Sequence, residues 1–530
     1  MKKFKHLSAF IECAQGVVPK VTTLKRYIHM LSQMGYNELY LGMADAYKIK
    51  EEPYFNYKRG GYTTQDLREI DAYAKQQNVE VIAQIHTLSH LHFLKKYPEY
   101  SDIFDTDSIL MVGEERVYEL VEHMIKAISE GLSTRRLHIG MDEAFGIGTG
   151  KYLEKHGPAD KKELILKHLC RVVEIARKYG FTCEIWGDML IETNNTRVTA
   201  EEVKAVLPED VLVHLWDYTT REEGELNALI GNFKKHVGHM AFAGCVWKHI
   251  GFGPNLNYSL KTIIPQMEAC YKNGVDHYMI TMWADHAAPT SIYSCLPVLY
   301  AAAEYASGNY DGRNHLDKEK FCRIVGVEYD AMYSLEYINY PYKTKCDTKS
   351  TSAFWVFFND ILLGNFDLFI QGEQASAAYG ILEKEYAALA KGELGHIFQK
   401  SACLMKVLKI KAPLNQRLRD AYQKKDKKEL RKIIKEIKKL IKAIEEFIAA
   451  FEKYYLHDNR GLGIEIHHIG FGSTVYRAEY AIRRIQDFIR NGEAIEELEG
   501  GVLPINYSPA VTIDNSCMVD YRMLISYCIE

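Results

Sequence analysis

Arg136-Leu137-His138-Ile139-Gly140-Met141-Asp142-Glu143 runs from an apolar stretch that reads as a strand straight into two adjacent carboxylates. Neighbouring side chains of a flat strand point to opposite faces. Asp142 and Glu143 can therefore serve one pocket only if the pleat breaks into a loop at this point. The carboxyl end of a strand in an α/β barrel is where such a break occurs and where active sites sit. Working outward, seven more β-rich runs cover residues 7–13, 38–43, 79–85, 182–187, 211–216, 240–247 and 277–283, beside 136–141 itself. Between them, segments such as 21–34, 64–76, 117–128 and 162–178 step their apolar residues by three and four, the helical spacing. Eight strand–helix units in about 300 residues predict a (β/α)8 TIM barrel in preference to an open doubly wound sheet. No Gly-x-Gly-x-x-Gly follows the first run, which argues further against a dinucleotide fold.

At 530 residues the chain exceeds what a single core sustains, so a barrel over 1–307 and a mainly α-helical C-terminal domain over 308–530 are expected. In the second part Leu430, Ile433, Ile437, Leu440, Ile444, Phe447 and Phe451 define a long amphipathic helix over 427–454. Its Lys-rich opposite face carries Glu429, Glu436, Glu445 and Glu446, and reads as a solvated surface. The last 30 residues look strand-like.

Apolar residues are 47% of the chain, charged residues 26%, and the formal net charge is −4, which excludes a global pull toward nucleic acid or anionic lipid. Eleven cysteines stand singly without Cys-x-x-Cys pairs, as expected of buried thiols in a reducing compartment and not of a disulfide frame or zinc site. Glu12 and Gln15 interrupt the apolar run behind Met1-Lys2-Lys3, so 7–13 reads as a first strand and not as a signal peptide. No stretch of 18 uncharged apolar residues occurs. A cytoplasmic, soluble protein without membrane contact is expected.

Trp186, Trp216, Trp247 and Trp283 end the fifth to eighth strand runs in order. Aromatic faces meeting at one rim build a box that stacks on a sugar ring and excludes water. Polar side chains reach the same rim: Asp45, His86, His90, Asp188, Asp217, Tyr218, Asn255, Asp285 and His286. Such a set fits a carbohydrate site or a metal site. The His-x-His that an amidohydrolase-type metal centre wants on strand one is absent, Glu12-Cys13-Ala14 standing there.

In order along nearly the whole chain stand Val18-Pro19-Lys20-Val21, Tyr54-Phe55, Arg59-Gly60, Thr87-Leu88-Ser89-His90-Leu91, Val112-Gly113-Glu114-Glu115 and His138 to Ala144. Lys155-His156-Gly157, Trp186-Gly187-Asp188-Met189, Trp216-Asp217-Tyr218, Gly251-Phe252-Gly253-Pro254-Asn255 and Asn459 to Ile466 follow. Together they resemble glycoside hydrolase family 20, the β-N-acetylhexosaminidases, in the compact bacterial form that begins directly with the barrel. The resemblance implies an exo-acting, retaining enzyme whose nucleophile is the substrate's own acetamide, an exception to the two-carboxylate scheme. By the same resemblance Glu143 is the general acid and base, Asp142 orients the acetamide, and Asp45 and His90 support the acid. Trp186, Trp216 and Trp247 would cage the acetamide over Trp283 as floor, Tyr218 would meet its carbonyl, and Asp217 and Asp285 would meet sugar hydroxyls. No metal and no organic cofactor is implied. The partner is a glycan or glycoconjugate ending in N-acetylhexosamine, and a homodimer stays open.

Two positions depart from the family pattern. An Arg that follows strand one in typical members is replaced within Glu12-Cys13-Ala14-Gln15-Gly16, and a Glu after the strand-eight Trp is missing from Ala284 to Thr290. Those charges hold sugar hydroxyls in the family, so the preference for equatorial O4 is relaxed and a lean toward GalNAc over GlcNAc is expected, with Gln15, Asp285 and His286 near an axial O4. Two alternatives stand beside this reading: a barrel glycosidase with Asp188 or Asp217 as carboxylate nucleophile, and a non-catalytic sugar-binding protein.

Overall fold

The eight runs form eight strands: β1 His6–Glu12, β2 Glu38–Gly42, β3 Glu80–Gln84, β4 Arg136–His138, β5 Thr182–Trp186, β6 Leu212–Trp216, β7 His239–Cys245 and β8 His277–Met282. The structure is a computed structural model and describes residues 3–191, 200–249, 251–312, 315–341 and 351–502. Each strand pairs in parallel with its sequence neighbour, and β1 closes the barrel on β8 through His6↔His277 to Ile11↔Met282. Every residue of β2 and of β8 is buried, as a parallel sheet with helices outside and side chains within demands. The helices Val21–Met34 and Thr64–Gln76 coincide with their apolar periodicity. Thr63 starts the second with a capping box: its hydroxyl accepts the Asp66 N–H at 3.1 Å, and the Asp66 carboxylate accepts the Thr63 N–H at 2.7 Å.

β4 is shorter than expected. It stops at His138 instead of Met141, because Gly140 and Met141 take φ of +72° and +73° and leave the pleat.

Inside the barrel the lower half is polar. Arg136 donates from Nε to Glu184 at 2.7 Å, from Nη2 to the Tyr40 hydroxyl at 2.7 Å, and from Nη1 to Glu80 at 3.0 Å and to Glu38. Glu38 also accepts from Ser8 at 2.6 Å and contacts His277 at 3.1 Å, while Glu184 accepts from Tyr40 at 2.7 Å and meets His214 at 2.9 Å. Burial alone would raise both glutamates; His277, His6 and Arg136 hold Glu38 well below the usual carboxylate range, and Arg136 with His214 does the same for Glu184. Above this layer Phe10, Tyr40, Ile82, Trp186, Ala243 and Met279 form an apolar cluster, with Trp216 and Trp283 packed on it.

The chain separates into two compact units. The first holds residues 1–246, 259–283 and 298–317, so it runs past the expected boundary at 307. The second takes 318–530 together with 247–258 and 284–297. Within the second unit the long helix spans Lys427–Asp458. Its apolar face carries Phe447 and Phe451, which meet Phe471 at ring centroids of 5.2 and 5.1 Å. On its polar face Arg417 bridges Glu429 and Glu436, each at 2.7 Å, and Lys432 reaches Glu429 at 2.8 Å. The strand-like tail beyond Val502 lies outside the described residues. Among the described residues Cys13, Cys183, Cys245, Cys270 and Cys295 are buried, and no helix is long and apolar enough to cross a membrane.

Candidate active site

The turn that follows β4 places both carboxylates on one side. After Gly140 and Met141, Glu143 also takes a positive φ of +53°, a conformation that costs a non-glycine residue about 1–3 kcal/mol and gathers at functional sites. Gln15, Ala44 and His90, at the ends of β1, β2 and the β3 loop, share it at +55°, +24° and +61°. A side chain at Gly140 would put its Cβ 2.7 Å from the Ile85 carbonyl oxygen, so glycine is required there. The β3 loop braces the turn: Ile85 N–H donates to the His138 carbonyl at 2.9 Å, Thr87 Oγ1 to the Ile139 carbonyl at 2.7 Å, and Ser89 Oγ to the Asp142 carbonyl. Beyond the turn, buried Asp105 accepts the backbone N–H groups of Gly150 at 3.0 Å and Tyr152 at 2.9 Å, pinning the outgoing loop.

His90 faces both acids. Its Nε2 stands 3.3 Å from Asp142 Oδ2 and 3.7 Å from Glu143 Oε2, and His86 Nδ1 is 3.9 Å from Asp142 Oδ1. Burial opposes charge on Asp142, but the contact with His90, its positive charge and His86 hold the carboxyl at about 2. Burial likewise opposes charge on His90, and Asp142 and Glu143 raise it to about 9. Glu143 moves the other way: burial and the Asp142 charge push it above the usual carboxylate range. Two neighbouring carboxyls with opposite shifts are suited to different tasks. Asp142 Oδ1 is buried and has no hydrogen-bond partner among the described residues.

Asp188 lies directly beneath. Its Oδ2 accepts the Glu143 N–H at 2.9 Å and its Oδ1 the Trp216 Nε1–H at 3.3 Å. Burial and the Asp142 charge push it up to about 7.

Three of the four tryptophans come together in the barrel unit. Trp283 Nε1 donates to the Tyr218 hydroxyl at 3.0 Å, the Tyr218 ring lies 5.2 Å from Trp216, and Trp186 lies 5.9 Å from Trp283. Trp186 is not a wall, contrary to the sequence reading. It is 1% exposed and packs on His138 at 4.4 Å, beneath the box, because β5 carries it into the apolar cluster. Trp247 belongs to the other unit, where its ring meets His249 at 4.2 Å and its carbonyl accepts the Asn255 N–H at 2.7 Å.

Other expected residues have different partners. Asp45 is ion-paired with Arg59, while His90 Nε2 stands 3.7 Å from Glu143 Oε2. Asp217 is not an open ligand for a sugar hydroxyl, since Arg221 Nε at 2.7 Å and Thr219 Oγ1 at 2.8 Å hold its carboxylate. Gln15 Nε2 donates to Glu12 at 3.3 Å. Asp285 lies in the second unit, 4.0 Å from His249 Nε2. The side chain of His286 lies outside the described residues. Two motifs quoted from the sequence meet where Lys155 Nζ reaches Glu114 at 2.5 Å. Asp105 and the Asp188–Glu143 link escaped the sequence reading. Each joins residues 45 positions apart, and no local pattern marks them.

Residues 4–232 match the profile of "Glycosyl hydrolase family 20, catalytic domain", and residues 330–518 match the "Glycoside Hydrolase 20C C-terminal domain". Hexosaminidase D of Homo sapiens is 27% identical over 215 residues, 39% of this chain and 43% of that protein; Hexosaminidase D of Bos taurus is 25% identical over 38% of this chain and 60% of its own. The chain thus spans about half the length of these relatives. The crystal structure of β-N-acetylhexosaminidase from Bacteroides fragilis NCTC 9343 overlays with a TM-score of 0.47 and 17% identity, over 61% of this chain and 70% of that one. One profile covers the barrel segment that carries Asp142 and Glu143, the other covers the helices of the second unit, and by both the chain belongs to glycoside hydrolase family 20.

Proposed function

We propose that the protein is an exo-acting, retaining β-N-acetylhexosaminidase that uses the substrate's acetamide as its nucleophile. The observation that carries this is the open valence of Asp142: an ionised, buried carboxylate with Oδ1 unpartnered among the described residues, beside a Glu143 carboxyl pushed above the usual carboxylate range. An acetamide N–H supplies the missing donor. Held this way, the acetamide oxygen attacks C1 as the glycosidic C1–O bond breaks and Glu143 passes its proton to the leaving oxygen. The oxazolinium ion that forms is positive, and Asp142 stabilises it at short range. Water then attacks C1 and gives its proton to the Glu143 carboxylate, restoring the acetamide with retained configuration. His90 balances the two carboxylates, and Trp216, Trp283 and Tyr218 exclude water from the reacting face.

A carboxylate nucleophile is less well supported. Asp188 spends both oxygens on Glu143 N–H and Trp216 and is shifted to about 7, and Asp217 is clamped by Arg221. The substrate class is a glycan or glycoconjugate with a terminal β-linked N-acetylhexosamine, leaning to GalNAc on the two sequence departures. The buried, singly spaced cysteines support a cytoplasmic working place.

An N-acetylhexosamine thiazoline mimics the bicyclic intermediate and should inhibit competitively. Asp142→Asn should lower kcat on 4-nitrophenyl N-acetylhexosaminides by about 10²–10³-fold, the size of a lost transition-state electrostatic contact, and weaken thiazoline binding. Near wild-type turnover in that variant, with no inhibition, would overturn the acetamide route.

A further inference from the structure

Away from the barrel, a second meeting of titratable side chains lies within the helical unit, where the helix Lys427–Asp458 ends beside the start of the helix Gly395–Lys411. His396 Nε2 is 3.0 Å from Asp458 Oδ2, and His457 Nδ1 is 2.8 Å from Asp458 Oδ1. The two imidazole centroids are only 4.0 Å apart, and one donor atom from each of the three residues lies within 4.8 Å of the others.

Two features set this cluster apart from a surface ion pair. Both nitrogens of His396 face oxygen, Nδ1 the Glu393 carbonyl at 3.1 Å and Nε2 the Asp458 carboxylate at 3.0 Å. A neutral imidazole carries a single N–H. With that hydrogen donated to the carbonyl, the Nε2 lone pair points at the carboxylate, and a cation between them, a proton or a metal ion, resolves the contact. Metal-binding histidines are held this way, their second nitrogen fixed by a backbone or carboxylate acceptor. The second feature is convergence: adjacent helix positions diverge by about 100°, yet His457 and Asp458 turn to one point.

We propose that His396, His457 and Asp458 bind a divalent first-row transition metal of the zinc class. Two imidazole nitrogens and one carboxylate oxygen are a ligand set such ions accept, with solvent completing the shell. His457 is 51% exposed and gives access, whereas Asp458, at 6%, anchors the site within the fold. The ion would tie the end of one long helix to the beginning of another, immediately before the Asn459 to Ile466 segment. Lys400 lies near enough to Asp458 to feel its charge, so the affinity expected is that of an open three-ligand site competing with an ammonium.

The test uses the full chain after chelator treatment, titrated with Zn²⁺ by calorimetry and with Co²⁺ by visible absorption, whose d–d bands report nitrogen coordination. One saturable equivalent is expected, with a rise in Tm. His396→Ala and His457→Ala should each weaken it by more than ~10-fold, while Cys403→Ser, which removes a free thiol from the same helix, leaves it unchanged. His457 is half exposed, so its variant decides the matter even if His396→Ala folds poorly. Absence of saturable binding, or binding that survives both histidine substitutions, would overturn the site and leave an ion-pair cluster only.

Discussion

The two ends of the barrel interior use the same residue types to opposite ends. At the floor, Glu38 and Glu184 are buried carboxylates surrounded by Arg136, Tyr40, Ser8 and three histidines, and both are driven well below their ordinary range. At the rim, Asp142 is equally buried and ionised, but keeps one oxygen without a donor among the described residues, while Glu143 and Asp188 are pushed up. Burial raises every one of these carboxyls; the neighbouring charges, together with the donors aimed at each, decide the outcome. The floor spends its donors internally and contributes stability. The rim withholds one and adds backbone strain at Met141, Glu143 and His90, and what the protein leaves unpaired there a substrate can pair.

The sharpest way to break this contrast is at the acid. On the proposed route Glu143→Gln removes the proton donor, so kcat on glycosides with poor leaving groups should fall about 10²–10⁴-fold, with a much smaller fall on activated aryl glycosides and little change in Tm. Equal falls on both substrates would remove Glu143 from that role. The matching floor substitution, Arg136→Met, leaves two buried glutamates without their shared cation and should cost about 3–5 kcal/mol of stability by chemical denaturation. Residual folded enzyme should keep near-normal turnover at low temperature; loss of turnover without loss of stability would erase the distinction between the two ends.

His90→Asn sharpens the comparison by pH. His90 lowers both neighbouring carboxyls, so without it both should titrate higher, and both limbs of the kcat/KM profile should move to higher pH. For stability the sign follows from the same contact. His90 rises from 6.5 to about 9 on folding, so its contribution is complete below pH 6.5 and lost as pH climbs through 9; Asp142 falls from 3.8 to about 2, so its contribution holds above 3.8 and fades toward 2. The stability gap between wild type and variant should therefore be widest between those limits, and a gap independent of pH would contradict the ion pair. The smallest effect concerns O4. Parallel kinetics on 4-nitrophenyl β-GalNAc and β-GlcNAc should give kcat/KM for GalNAc equal to or above that for GlcNAc; a GlcNAc preference of tenfold, about 1.4 kcal/mol, would mean that other groups hold O4.

Much of this was legible beforehand for a local reason. Strand and helix periods are set by residues two to four apart, so all eight strands stand where the runs placed them, and 21–34 and 64–76 match their helices to the residue. The argument that Asp142 and Glu143 share a pocket only through a broken pleat needed just their adjacency, and the positive φ at 140, 141 and 143 supplies the break. Box membership was less legible. A tryptophan at a strand end looks the same whether it faces the mouth or, like Trp186, packs down on His138.

Periodicity, composition and motif order thus determined the barrel, its helical sequel, the family resemblance and the two carboxylates at the end of β4. Tertiary structure alone decided their partners: Arg59 for Asp45, Arg221 for Asp217, Asp188 beneath Glu143, and Arg136 for glutamates as far as 98 positions away. Hydrogen bonds and ion pairs depend on distances of a few ångströms between residues remote in the chain, and no local period carries that information. The unpaired oxygen of Asp142 is of the same kind, since a missing donor is defined only once every neighbour has taken its place.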